Sequence, residues 1–251
     1  MTQLLEVTDL RVTYGAVVAV DDVSLEVGEG EIVGLIGPNG AGKSSLIDAL
    51  TGAIKNRTGH VMFEGSSLDG LAPHAVARRG LVRTFQSVEL FDDLTVRENL
   101  QVAAEQPTLS SMFRDLIVPS KKTHEDAVDW AVALCELSDV SDRYPRELSH
   151  GQRKLTGVAR ALAKRPRLVL MDEPAAGLDT DESIAFGRRL RSLPEQGLSV
   201  LLVDHDMELV LGTCDRIIVL DFGRIIAAGT PAEIRQDSRV IEAYLGAHHD
   251  G

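Results

Sequence analysis

Gly37-Pro38-Asn39-Gly40-Ala41-Gly42-Lys43-Ser44 is the stretch whose reading decides the fold. Two glycines stand at fixed spacing and are followed by Lys and Ser, the pattern of a phosphate loop. Glycines let the backbone curl so that successive N–H groups point at phosphate oxygens, and a helix that follows adds its positive end. In such a loop Lys43 reaches the β and γ phosphates of a nucleotide and the Ser44 hydroxyl holds Mg²⁺, with Ser45 counted among the nucleotide-binding residues. The flanks agree. Glu31 to Ile36 is an almost continuous apolar run, as in a strand buried on both faces, and Leu46, Ile47 and Leu50 line the inner side of a helix that stops before Gly52.

Two more elements carry chemistry. Leu168-Val169-Leu170-Met171-Asp172-Glu173 is an apolar strand ending in two acids. Such a strand places its carboxylates at the carboxyl edge of a parallel sheet, where open α/β sheets bind ligands. Asp172 is assigned to the Mg²⁺ shell and Glu173 to orienting and deprotonating an attacking water. Taken alone, the pair also fits a solvated strand end. Leu148-Ser149-His150-Gly151-Gln152 opens a helix striped by Leu155, Val158, Ala159 and Leu162. Ser149 there is a plain N-cap or, with Gly151 and Gln152, a second anion site.

Around these elements the pattern changes twice. Alternation in the first thirty residues (Leu5, Val7; Leu10, Val12, Tyr14; Val23, Leu25, Val27) predicts antiparallel strands turning near Gly15 and Gly28. A further strand pair is expected at about Gly59 to Phe63 and Leu81 to Phe85. From Val88 to Lys164 the period becomes helical, with a capping box at Thr95 and Glu98 and a stripe of Ala127, Trp130, Ala131 and Leu134. Then come strand Leu168 to Met171, a helix from about Asp181 to Leu193, strand Ser199 to Val203, a hairpin of Arg216 to Leu220 with Ile225 to Ala228 turning at Gly223, and a last helix from Thr230. The expected class is α/β: a P-loop core with an N-terminal antiparallel β layer and an inserted α-helical subdomain. Its divisions are residues 1–87, the β layer and first part of the core, residues 88–164, the insertion, and residues 165–251, the rest of the core with short C-terminal helices.

Composition narrows the partners. Lys and Arg total 26 against 38 Asp and Glu, a net charge of −12, which speaks against gripping nucleic acid by its backbone or lying unaided on an anionic membrane. No apolar run approaches the roughly 20 residues of a membrane helix, and no secretory signal is visible. Cys135 and Cys214 are far apart and without metal-ligand spacing, as expected of reduced, buried thiols.

In order and spacing, the phosphate loop, Gln86 in Arg83-Thr84-Phe85-Gln86, Leu148 to Gln152, the Asp172-Glu173 strand, Ala176-Gly177-Leu178-Asp179 and His205 resemble the ABC transporter ATPases over essentially the whole chain. The resemblance implies that Gln86 touches both Mg²⁺ and the membrane subunit, His205 is a switch histidine on the γ phosphate, Asp179 links two active sites, and Tyr14 stacks on adenine. It also implies a head-to-tail dimer with an identical or paralogous cassette. ATP on Tyr14, Lys43 and Ser44 of one would be covered by Ser149 and Gly151 of the other. Two permease subunits would be driven from the cytoplasmic face of the membrane, and a solute-binding protein served indirectly. Arg83 to Gln86, Leu90-Phe91 to Leu100, the segment from Ala104 to Lys122, Ala175 to Asp179 and Val240 to Gly246 are similar to the branch that takes up branched-chain amino acids, urea and short amides. Two positions depart from the usual family pattern: His150 stands where most cassettes carry Gly, and Gly177 where many carry Ala. A stripe of Leu109, Met112, Phe113, Leu116 and Ile117 packs on the helical lobe or meets a permease. The competing readings are a soluble ABC protein and a nucleotide-gated subunit without useful hydrolysis. The first usually has two cassettes or a long coiled coil, and intact Lys43, Asp172, Glu173 and His205 speak against the second.

Overall fold

In the computed structural model, residues 2–84, 90–105 and 121–246 are described. Two sheets face each other. The outer one is antiparallel, in the order β2-β1-β4-β5, from β1 (Gln3–Tyr14), β2 (Val17–Gly28), β4 (Arg57–Phe63) and β5 (Ser66–Ser67). The central one runs β10-β9-β3-β8-β7-β6, from β3 (Ile32–Ile36), β6 (Leu81–Arg83), β7 (Leu168–Asp172), β8 (Ser199–Val203), β9 (Arg216–Asp221) and β10 (Arg224–Gly229). All its neighbours are parallel except the β9–β10 hairpin at one edge.

The central strands are buried on both faces because two cores lie against them. Val33, Leu35, Leu168, Leu170, Leu201, Val203, Ile218 and Leu220 point toward the outer sheet and α1 (Lys43–Leu50). Their alternates Ile32, Ile36, Val169, Met171, Val200, Leu202, Ile217 and Val219 point into the second core. The period-two side-chain geometry of a strand splits each continuous apolar run between two cores. The second core also takes apolar faces of α3 (Val96–Ala104), α4 (Lys121–Leu134), α5 (His150–Leu162), α6 (Thr180–Leu190) and α7 (Met207–Thr213). Gly34 marks close packing there, since a Cβ on it would sit 2.8 Å from Val210 Cγ1 and 3.0 Å from Cys214 Sγ.

One expectation fails. Gly59–Phe63 and Leu81–Arg83 do not pair with each other: β4 joins β1 in the outer sheet and β6 joins β7 in the central one. The chain between them crosses from one layer to the other through α2 (Pro73–Arg78). The burial patterns agree with the division, half-exposed for β4 and largely buried for β6. The expected helix from Asp181 to Leu193 is α6, ending at Leu190 and followed by a 3₁₀ turn at Pro194–Gln196. The Thr95–Glu98 capping box is present, as is the Thr230 start of α8 (Pro231–Gln236), after which α9 (Ser238–Gly246) closes the described chain. The stripe from Leu109 to Ile117 lies outside the described residues.

Candidate nucleotide site

Strand register decides which loops meet. Val203 stands opposite Leu35 of β3 and opposite Asp172 of β7. The chain therefore leaves three neighbouring strands side by side, and one edge of the sheet carries the 37–42 loop, Asp172-Glu173 and Asp204-His205. This carboxyl edge is where open parallel sheets bind ligands.

The loop is shaped by its glycines. Gly42 is the N-cap of α1 with φ 102, and a Cβ on it would lie 2.2 Å from the Ala19 carbonyl oxygen. A Cβ on Gly37 would lie 2.0 Å from that of Leu220. No side chain caps α1, so the first-turn N–H groups remain for an outside acceptor. Lys43 Nζ donates to the carbonyls of Gly37 and Pro38 at 2.6 and 2.8 Å, folding across the loop. Burial lowers its pKa, and the nearby carboxylates of Glu173 and Asp172 oppose that effect. Ala41 is buried, Pro38 and Ser45 are half-buried, and Asn39, Gly40 and Ser44 are exposed.

Asp172 is 3% exposed, and its Oδ2 accepts a hydrogen bond from Arg83 Nη2 at 2.7 Å. The same guanidinium pairs with Asp48 of α1. Glu173 takes left-handed backbone angles, φ 47, held by its N–H to the Val203 carbonyl at 2.7 Å. A non-glycine residue in that region costs of order 1–3 kcal/mol, a strain that tends to collect where a side chain must be aimed. His205 is 66% exposed, its Nδ1 3.9 Å from Glu173 Oε1 and 3.6 Å from Asp204 Oδ1, beyond direct hydrogen bonding. Asp204 accepts N–H bonds from His205 (2.8 Å), Asp206 (3.1 Å) and Ala175 (3.3 Å), so one buried carboxylate organises the turns after β7 and β8. Desolvation nevertheless raises its pKa.

Apart from Gln86, the other expected residues stand at the starts of α5 and α6 and at the end of β1. Ser149 caps α5: its Oγ accepts from Gln152 N at 3.2 Å while Gln152 Oε1 accepts from Ser149 N at 3.0 Å. Gly151 is buried against Glu182, whose Oε1 is 2.7 Å from where a Cβ would be. Asp179 caps α6, accepting from Glu182 N at 2.8 Å. Tyr14, 51% exposed, ends β1 opposite Val17. Gln86 lies outside the described residues. The α5 start meets the sheet edge through Lys154, whose Nζ donates to the Glu173 carbonyl at 3.5 Å. Burial lowers the Lys154 pKa, opposed by Asp204 and Glu173.

Sequence reading missed Arg83, Asp204 and Lys154. Asp204 carries a usable signal, because it too follows an apolar strand and precedes His205. Arg83 and Lys154 carry none, since their partners are 89 and 19 residues away. Among the described residues no cluster of three or more His, Cys, Asp or Glu side chains is placed to hold a metal alone. The buried Asp172 carboxylate, paired with Arg83 and near the Ser44 loop, instead fits Mg²⁺, which binds through one or two carboxylates plus substrate phosphates.

The family model described as "ABC transporter" matches residues 20–176, and one described as "Branched-chain amino acid ATP-binding cassette transporter" matches residues 224–250. BraF of Pseudomonas aeruginosa, a high-affinity branched-chain amino acid transport ATP-binding protein, is 39% identical over 251 residues, covering 97% of this chain and 98% of its own. LivG of Salmonella typhimurium, described in the same words, is 40% identical over 249 residues with the same coverage, 97% and 98%. The solved ADP conformation of MJ1267, an ATP-binding cassette of an ABC transporter, matches with a TM-score of 0.86 at 32% identity, covering 98% of this chain and 100% of that one. The chain belongs to the ABC transporter family and is its ATP-hydrolysing cassette. Among the described residues no helix is long and apolar enough to cross a membrane.

Proposed function

We propose that this chain drives an importer of branched-chain amino acids or a related small solute from the cytoplasmic face of the membrane, bound there to two permease subunits. One observation carries the reading: similarity to BraF and LivG covers 97% of the chain, and the branched-chain amino acid family model matches residues 224–250. A solute-binding protein would deliver the cargo to the permease.

ATP sits on the 37–45 loop, its phosphates on the open N–H groups of α1 and on Lys43, its adenine on Tyr14. Lys43 exchanges its two carbonyl partners for phosphate oxygens. Ser44, Gln86 and Asp172 would hold Mg²⁺, which when bound neutralises charge building on the phosphates. Glu173 orients and deprotonates the attacking water, and His205 donates to the γ phosphate. The 88–164 lobe presents Ser149, Gly151 and Gln152 to the ATP of a second cassette, identical or paralogous, between the core halves 1–87 and 165–251. Asp179 links the two sites. Closing of the pair shifts the permease between its two states, and hydrolysis reopens it.

The test is reconstitution in vesicles with the permease and binding protein that co-purify with the chain. Mg-ATP inside should drive accumulation of leucine, isoleucine or valine, or of urea or a short amide. ATP hydrolysis that proceeds without uptake of any of these solutes would remove the cargo reading.

A further inference from the structure

The start of α5 and the segment from Glu173 to Glu182 interlock inside one chain, and two glycines make that possible. Gly177 has φ 81, and a Cβ there would lie 2.9 Å from His150 Nε2 and 3.4 Å from its Cδ2, so the imidazole rests in the space the missing side chain leaves. The reciprocal contact runs the other way, with the Glu182 carboxylate in the corresponding space at Gly151. One turn further along α5, Lys154 Nζ reaches the Glu173 carbonyl at 3.5 Å. His150 and Lys154, at i and i+4, lie on one helix face, and Gly151 is about 60° round the helix from Lys154, so the three contacts run along a single seam. The seam joins Ser149, Gly151 and Gln152 to the turn after Glu173 and to Asp179. Glu182 ties it further, because its Oε2 also accepts the Asp179 N–H at 3.2 Å. His150 and Gly177, the two departures from the family pattern, are thus partners in space.

We propose that His150 is a positioning residue: its imidazole, seated on Gly177, fixes the serine-led start of α5 against the Asp179 loop so that both are presented to the neighbouring cassette as one unit. The inference rests on the head-to-tail reading of the proposed function. An imidazole is a flat ring with two rotatable bonds, so it sets the spacing between the two segments at small conformational cost. It touches no reacting atom, and its effect passes through Ser149 and Asp179.

The experiment uses the full chain in a Glu173→Gln background, where ATP is bound but not consumed and ATP-dependent dimerisation is read by light scattering. Adding His150→Ala should raise the ATP concentration for half-dimerisation about tenfold, a size expected when a sealing group is misplaced without loss of its chemistry. Nucleotide affinity of the monomer and Tm should stay unchanged, which a merely structural role would not allow. Gly177→Ala should impair dimerisation more, by both clash and backbone strain. Combining Gly177→Ala with His150→Gly relieves the clash but neither restores the imidazole nor removes the backbone strain, so the double substitution should be worse than the parent yet fall well short of the product of the two single losses, the non-additivity that marks coupled neighbours. Undisturbed dimerisation by the His150→Ala chain, or losses that simply multiply in the double substitution, would overturn the positioning role alone. Failure of the Glu173→Gln chain to pair in the presence of ATP, both with itself and with a co-purifying cassette, would overturn the sandwich, and this inference with it.

Discussion

The helices α1 and α5 start in opposite ways. The first begins at Gly42 with no side chain and no cap, leaving its N–H groups open over the loop. The second begins at Ser149, which with Gln152 closes a reciprocal cap. An open helix start binds an anion with the subunit alone. A closed one is already satisfied, yet Ser149 Oγ accepts one N–H and keeps its O–H to donate, so a phosphate brought by a neighbour is met without breaking the cap. The comparison explains why Ser149 reads equally well as a cap and as a site: in this geometry both roles use the same atom. On the proposed reading, affinity belongs to α1 and completion of the site to α5.

Four measurements test that division, beginning with the carboxylate between the two helices. Glu173→Gln should lower phosphate release roughly a thousandfold, the middle of the range for loss of a general base, while fluorescent-ATP titration stays as in the parent. Undiminished hydrolysis would remove Glu173 from the mechanism. Lys43→Ala strikes the open start. It should weaken Mg-ATP binding by about 3 kcal/mol, a hundredfold or more in Kd by calorimetry, because charge-assisted bonds to two phosphates are lost.

Ser149→Ala strikes the closed start, at about 1 kcal/mol of stability for a lost N-cap and a fall in Tm of a few degrees. ATP affinity of the isolated subunit should not move while turnover drops. Weakening of monomer binding on the scale of Lys43→Ala would erase the distinction between the two helices. The smallest effect is in the thiols, which report on the two regions separately: Cys135 follows α4 within the helical lobe, and Cys214 packs against Gly34 in the core. Both are free, and burial pushes each up to about 12 from an ordinary 9.0. A folded pKa above the unfolded one means that their contribution to stability is full below about pH 9 and lost as pH climbs toward 12. Neither should react with a thiol reagent at pH 8 in the native chain, and faster labelling of Cys135 than Cys214 would show that the lobe opens before the core.

Much of this architecture is legible in residue order because its signals are local. The glycine loop must sit between a buried strand and a helix, Thr95-Glu98 and Thr230-Glu233 state their own helix starts, and Phe222-Gly223 closes the β9–β10 hairpin with φ 43 and 77. The short helices α2 and α7, of 6 and 7 residues, span too few turns for periodicity to show. The sheet to which β4 and β6 belong is hidden for another reason: an apolar segment states that it is a strand but not which edge accepts it.

By itself, then, the sequence determined the glycine loop between a buried strand and a helix, the acids that end β7, the α/β class with its inserted helical lobe, and the family. Those are fixed by spacing within a few residues, where backbone geometry leaves little choice. Only the tertiary structure decided that Asp172 is held by Arg83, that Asp204 ties together the turns carrying Glu173 and His205, and that His150 rests on Gly177. These contacts join residues up to 89 positions apart. Parallel register and the packing of α5 on the sheet edge bring them together, and no local pattern encodes such a meeting.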